Sequence, residues 1–180
     1  VMSVALENYQ RSWSGATAQS ILTIDLNTMM DGAMADLDPQ QPLPDNIKVV
    51  LNHTISHGPL ILSPEPMLAM AYTETTLHIP ETYSEIVAHY FANQSPYQQQ
   101  TTLSLFGGAH ATFTIPSYQG LSHDGSFEID WQGVNGKAEG DILNFAGDYT
   151  MAAPLLKLSN EEINISLINI DAKTHSNGLK

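Results

Sequence analysis

Residues 47–62 read IKVVLNHTISHGPLIL, and the rest of the chain can be placed around them. In an extended strand successive side chains point to opposite faces. Ile47, Val49, Leu51, His53, Ile55 and His57 therefore share one face, and Lys48, Val50, Asn52, Thr54 and Ser56 the other. Gly58-Pro59 ends or bends the strand, because proline has no N–H to give to a ladder. A one-sided strand of this length needs neighbours. Ser20–Met30 supplies one, with Leu22, Ile24, Leu26 and Thr28 alternating with Ile21, Thr23, Asp25 and Asn27. Ala69–Ile79 supplies another, closed by Pro80. From Thr101 the pattern continues as a meander. Its apolar rows are Leu103 and Leu105, then Ala111, Phe113 and Ile115 up to Pro116, then Phe127, Ile129 and Trp131. Leu143, Phe145, Tyr149 and Met151 follow, up to a break at Pro154, and Glu162–Lys173 gives a last strand. Gly107-Gly108 predicts a turn or bulge. Asn135-Gly136 predicts a type I′ hairpin turn, since both residues tolerate positive φ.

Helical periodicity is confined to two places. Over Pro80–Asn93, Thr82 and Glu85 form a Thr-x-x-Glu capping box, and Tyr83, Ile86, Val87, Tyr90 and Phe91 follow i, i+3, i+4, i+7, i+8 spacing. This helix is expected to lay an aromatic stripe on a sheet and to end at Gln94-Ser95-Pro96 and the run Gln98-Gln99-Gln100. Val4, Leu6, Tyr9 and Trp13 also fit a short N-terminal helical stripe, although no cap marks it. The fold class is thus mainly β (α+β). It is an antiparallel meander sheet, strongly twisted or curved, with one clear helix over about 81–93 and a short helix at the N terminus as a second.

Composition narrows the picture. The 180 residues suffice for a single domain spanning 1–180, and a compact chain of this size buries roughly 20,000 Å², ample for a core. Charged residues make up only 14%, which argues against a helical bundle with its Lys- and Glu-rich surface. The net charge is −13, from 19 acidic and 6 basic groups. Six scattered basic residues cannot neutralise a row of phosphates, so nucleic acid is excluded as a partner, and an anionic membrane surface with it. There is no cysteine, hence no disulfide, thiolate or Cys-based metal site. No apolar run has the length that spans a bilayer. The chain starts at Val1, and a signal or anchor upstream is expected to have been removed.

Few residues suggest chemistry. His53 and His57 have the i, i+4 spacing that chelates zinc on a helix. On a strand they stand roughly 13 Å apart, which one ion with ligands at ~2 Å cannot bridge. With Gly58 and Pro59 they form a candidate motif, functional or structural, at a strand end. Ser56-His57-Gly58 and Ser122-His123-Asp124-Gly125-Ser126 contain hydrolase residue types but no Gly-x-Ser-x-Gly elbow, and the second segment fits a turn. Gly107-Gly108 lacks the rest of a phosphate-binding motif. The acidic connection carrying Asp31, Asp36, Asp38 and Asp45 matches no calcium-loop spacing and fits a solvated linker. No catalytic group, metal or cofactor is expected.

Three segments occur in a telling order: Tyr9-Gln10-Arg11-Ser12-Trp13 before a Leu/Ile strand, Thr54-Ile55-Ser56-His57-Gly58-Pro59-Leu60, and Phe127-Glu128-Ile129-Asp130-Trp131-Gln132-Gly133. Together they resemble the YdgA-like family of uncharacterised Gram-negative envelope proteins, with Ile-x-His-Gly-Pro the most specific piece. The resemblance implies that this chain is the N-terminal region of a longer protein that faces the periplasm and is tethered to the inner membrane by an anchor absent here. It implies no activity and brings no catalytic residues. The expected role is non-catalytic, through a β-sheet interaction or assembly surface, with protein partners or self-association into a homo-oligomer. The alternative is a periplasmic binder of an apolar ligand, such as lipid, in a groove between sheet and helix. A hydrolase or metalloenzyme has no positive signal.

Overall fold

Alternating sequences satisfy their backbone groups only by pairing edge to edge, and most of this chain does so. The computed structural model describes residues 2–25, 46–62, 64–92, 94–141 and 146–178. Its strands are β1 (Met2–Arg11), β2 (Gly15–Asp25), β3 (Asn46–His57), β4 (Leu60–Ile61), β5 (Met67–Leu68), β6 (Ala71–Leu77), β7 (Gln98–Leu103), β8 (Gly108–Ile115), β9 (Tyr118–Leu121), β10 (Glu128–Trp131), β11 (Val134–Asp141), β12 (Ala146–Ser159) and β13 (Asn164–Asn177). One helix, α1 (Ser84–Phe91), follows a 3-10 turn at Glu81–Tyr83. Leu26–Asp45, with the acidic connection, and Leu143 and Phe145 lie outside the described residues.

Eleven strands form one open sheet in the order β1-β2-β3-β6-β7-β8-β11-β12-β10-β9, with β13 on the far side of β12. Every pair is antiparallel. β12 is where the sheet forks. Its first half, Ala146–Ala152, pairs with β11, and its last residues, Leu156–Ser159, pair with β10. β13 runs along its other edge throughout. Pro154 sits at the handover. It does not break the strand as its sequence suggests, because it falls where neither neighbour needs its missing N–H. Opposite it, Asn169 takes a left-handed φ of 54°.

Other local expectations need correction. The N-terminal segment is a strand and not a helix. Val4 and Leu6 face Leu22 and Ser20 across a ladder, which is broken by a bulge between Glu7 and Gln10 at Asn8 (φ 51°). The glutamine run Gln98-Gln99-Gln100 opens β7. The α-helix starts at Ser84 with Tyr83 as its N-cap residue, not Thr82, and has no side-chain cap. Asn135-Gly136 is no turn but lies near the start of β11, paired with a strand on both sides. The turn before it uses Gly133, whose φ is 81°. Gly136 is required for another reason. The Phe113 ring lies where a Cβ would be, and reaches on to stack on Tyr149 at 6.1 Å. Tyr97 stacks on the other side of Phe113 at 6.0 Å.

The registers sort the side chains onto two faces. Leu22, Val49, Leu51, Ile55, Leu103, Phe113, Val134, Tyr149, Met151, Ile168 and Ile170 share one face, interrupted by threonines and Gln99 over β6 and β7. The other face carries Thr54, Glu74, Gln100, Thr112, Lys137, Thr150 and Lys173, but beyond Pro154 it turns apolar, with Ile129, Trp131, Leu156, Leu158, Ile165 and Leu167. No second layer forms among the described residues. The buried apolar residues are mostly small: Ala16, Ala18, Ala69 and Ala153, with Ile61, Tyr72 and Val134. Ile61, Ala69 and Tyr72 make a small cluster where the β4–β5 ribbon folds over the polar face. The sizeable core that the chain length allows is therefore absent from the described sheet, which buries area edge to edge.

A Gly136→Ala substitution is expected to lower stability by about 1–3 kcal/mol, because the Phe113 ring must leave its stack to admit a methyl group. Urea unfolding followed by far-UV circular dichroism measures it. An unchanged midpoint would contradict the stack.

Candidate functional site

The His53–Pro59 motif resolves into two structural devices. On the apolar face, His53 Nδ1 meets the Thr75 hydroxyl at 2.8 Å and Nε2 meets the Ser20 hydroxyl at 2.8 Å. The three side chains belong to β3, β6 and β2, so one imidazole staples three strands. Thr75 is buried at 4% exposure. Partial burial holds the His53 pKa below its ordinary 6.5. His57 shares the same face but ends the strand. Its N–H donates to Ser14 O at 3.0 Å. Gly58 takes φ 128°, a region that side-chain-bearing residues avoid, and its N–H donates to Met70 O at 3.2 Å. Pro59 is exposed in the bend before β4.

The second candidate, Ser122–Ser126, is a self-contained turn between β9 and β10. The hydroxyls of Ser122 and Ser126 donate to Asp124 Oδ1 at 2.6 and 2.7 Å, and the Ser126 N–H does so at 3.1 Å. These bonds hold the Asp124 carboxyl down to about 2 although it is exposed. Both hydroxyls point at a carboxylate with no imidazole between them, so the arrangement fixes a loop and activates no nucleophile. His57 and His123 lie on separate elements, β3 and this turn. Among the described residues there is no group of three or more metal-ligating side chains.

A cluster that the sequence did not single out joins α1 to this hairpin. His89 Nε2 lies 2.9 Å from Leu121 O and 3.0 Å from the Tyr118 hydroxyl, and the Tyr90 hydroxyl accepts the His123 N–H at 2.9 Å. The His89 and His123 rings meet edge to face at 5.5 Å. No residue of α1 is buried. The helix is therefore latched to the β9–β10 end of the sheet, where Tyr90 of its aromatic stripe meets Tyr118 edge to face at 5.0 Å, without burying the stripe. The signal was present in the helical spacing of Tyr90, but the pairing with Tyr118 depends on the fork at β12.

The apolar face is the largest feature left. At its edges Val4 is 69% and Leu6 65% exposed, and Ile168 is 65% exposed. Over β8, β11 and β12 it dips into an open groove of about 330 Å³, lined by Ala109, Ala111, Ala138, Gly140, Gly147 and Tyr149, with no helix residue. Its floor is low because those positions carry methyl groups or hydrogen. A Cβ on Gly140 or Gly147 would strike the facing backbone, so the two strands must approach closely here.

These features define an open, one-layered antiparallel β-sheet protein with an apolar face from β1 to the first half of β12. A family model described as a bacterial protein of unknown function (DUF945) matches residues 1–179, and the chain belongs to that family. Neither curated proteins nor solved structures give a match. Among the described residues no helix is long and apolar enough to cross a membrane.

The His53 staple makes stability pH-dependent. The unfolded chain, with an ordinary imidazole, binds a proton before the folded one does. The staple's contribution is therefore complete above pH 6.5 and is lost as the pH falls below it. The urea midpoint is expected to drop between pH 7.5 and 5.5, and to drop less in His53→Gln, which keeps a hydrogen-bonding group without a titration. Equal slopes for the two proteins would refute the assignment.

Proposed function

We propose that this chain is a non-catalytic cell-envelope protein that works by contact through the apolar face of its sheet. The observation that carries this reading is the register, which puts aliphatic and aromatic side chains from β1 to the first half of β12 on one side with nothing among the described residues packed over them. Faces of this kind are rare on soluble proteins unless something binds there. The resemblance of Ile55-Ser56-His57-Gly58-Pro59 to the YdgA-like pattern supports a periplasmic location, with tethering to the inner membrane by a segment outside these residues. Protein partners, including further copies of the chain, fit such a face.

Photo-crosslinking in the periplasm tests this. A photoreactive residue at Leu22 or Val49, on the apolar face, is expected to give discrete adducts. The same probe at Thr23 or Lys48, on the polar face, is expected to give none. Adducts that do not distinguish the faces would rule the reading out.

The groove favours a second reading, an apolar ligand such as one lipid acyl chain lying along Ala109, Ala138 and Gly147. Its concave floor and aromatic flank at Tyr149 suit an aliphatic chain better than a polar ligand. Native mass spectrometry of protein purified from membranes is expected to show a lipid-sized adduct, reduced at least fivefold in Ala138→Phe, which fills the floor. An adduct untouched by that substitution would place the ligand elsewhere.

A further inference from the structure

The outer edge of β13 offers a more specific contact than the face does. Among the described residues β13 pairs only with β12, so the other side of its stretch Asn164–His175 presents N–H and C=O groups that no other strand takes up. Its residues are exposed, Ala172 alone being partly covered. Sheets usually blunt such edges with bulges, prolines or charges. The opposite edge, β1, carries a bulge at Asn8. β13 has no proline and keeps a constant register with β12, and its one irregularity is the backbone at Asn169.

We propose that two copies of the chain pair through this edge, β13 against the partner's β13, antiparallel about a two-fold axis at Ala172. A two-fold axis normal to the sheet keeps each face on its own side, so one residue must oppose its own copy. Charge chooses which one. With Ala172 on the axis, Asp171 faces the partner's Lys173, and Lys173 faces the partner's Asp171, both on the polar face. Moving the axis to Ile170 sets Lys173 against the partner's Leu167. Moving it to Thr174 sets Lys173 against the partner's His175. Within the chain, Lys173 has Thr150 opposite it and Lys137 beyond, so no carboxylate meets it across the ladder. A small residue on the axis also lets the strands close. The ladder over residues 169–175 supplies about six backbone hydrogen bonds, and Ile170 carries the apolar face on into the second copy.

This proposal takes the self-association part of the function above to one edge and one register. It uses the edge and not the face, so the face-directed crosslinks can fail while it stands, and the reverse. The chain has no cysteine, so Ala172→Cys introduces a single thiol facing its own copy. Facing Cα atoms in an antiparallel pair lie about 4.5–5.5 Å apart, inside the range a disulfide bridges. Mild oxidation of the full chain is expected to link Ala172→Cys into dimers. It is expected to leave Ile168→Cys unlinked, since those thiols sit roughly 26 Å apart in this register. In sedimentation velocity, wild type is expected at twice the chain mass, and Asp171→Lys and Lys173→Asp each at the monomer mass. An equimolar mixture of the two variants regains the dimer, because each lysine then faces an aspartate. A monomeric wild type, linking at 168 as fast as at 172, or dimeric single variants would each overturn the proposal.

Discussion

The backbone ladder holds this structure together. Eleven strands exchange N–H and C=O groups edge to edge, and no second layer among the described residues adds a large core. Each ladder bond contributes little net free energy, about 1 kcal/mol, but leaving one unmade costs more. The sheet is therefore secured by completeness. Side chains reinforce it across strands: His53 ties β2, β3 and β6, and the Tyr97–Phe113–Tyr149 stack runs from the residue before β7 to β12 over the gap left by Gly136. Such cross-strand contacts are the ordinary unit of sheet stability.

The same constraint organises what can be functional. One layer has two faces and, because it forks, three outer strands, β1, β9 and β13, and the register decides what each presents. The polar face is rich in threonine and glutamine, and the β4–β5 ribbon covers Tyr72 there. That burial, with Glu74 beside it at 3.1 Å, pushes the Tyr72 hydroxyl up to about 12. Among the described residues the apolar face has no equivalent cover. The histidines, serines and acids that stand out in one dimension make contacts within the scaffold in three: a staple at His53, a strand end at His57, a loop brace at Asp124.

Much of the fold was legible from alternation alone. Strands at 46–57, 71–77, 108–115 and 128–131 follow directly from the period of two and from Gly and Pro at their ends. What sequence could not carry was anything that depends on a distant neighbour. Asn135-Gly136 reads as a turn because glycine permits positive φ, yet here it is needed for the lack of a side chain, a distinction only Phe113 makes. Pro154 reads as a terminator because proline usually ends a ladder, yet β12 changes partners at that residue. Val4, Leu6, Tyr9 and Trp13 fit a helix wheel only because the bulge at Asn8 shifts the strand's phase. The latch of His89 and Tyr90 on Tyr118 was hidden because nothing local announces that the sheet forks.

Strand order also shapes how the molecule comes apart. From β1 to β3 and again from β6 to β8, neighbours along the chain are neighbours in the sheet. Cohesion then resembles that of a zipper, added link by link and with little reach beyond the next strand. Losing β1 strips one ladder and leaves β3 still paired with β6. Fraying begins at the margins and travels inward, so amide exchange forms a gradient across the sheet, slowest in the middle strands, in place of a single cooperative collapse.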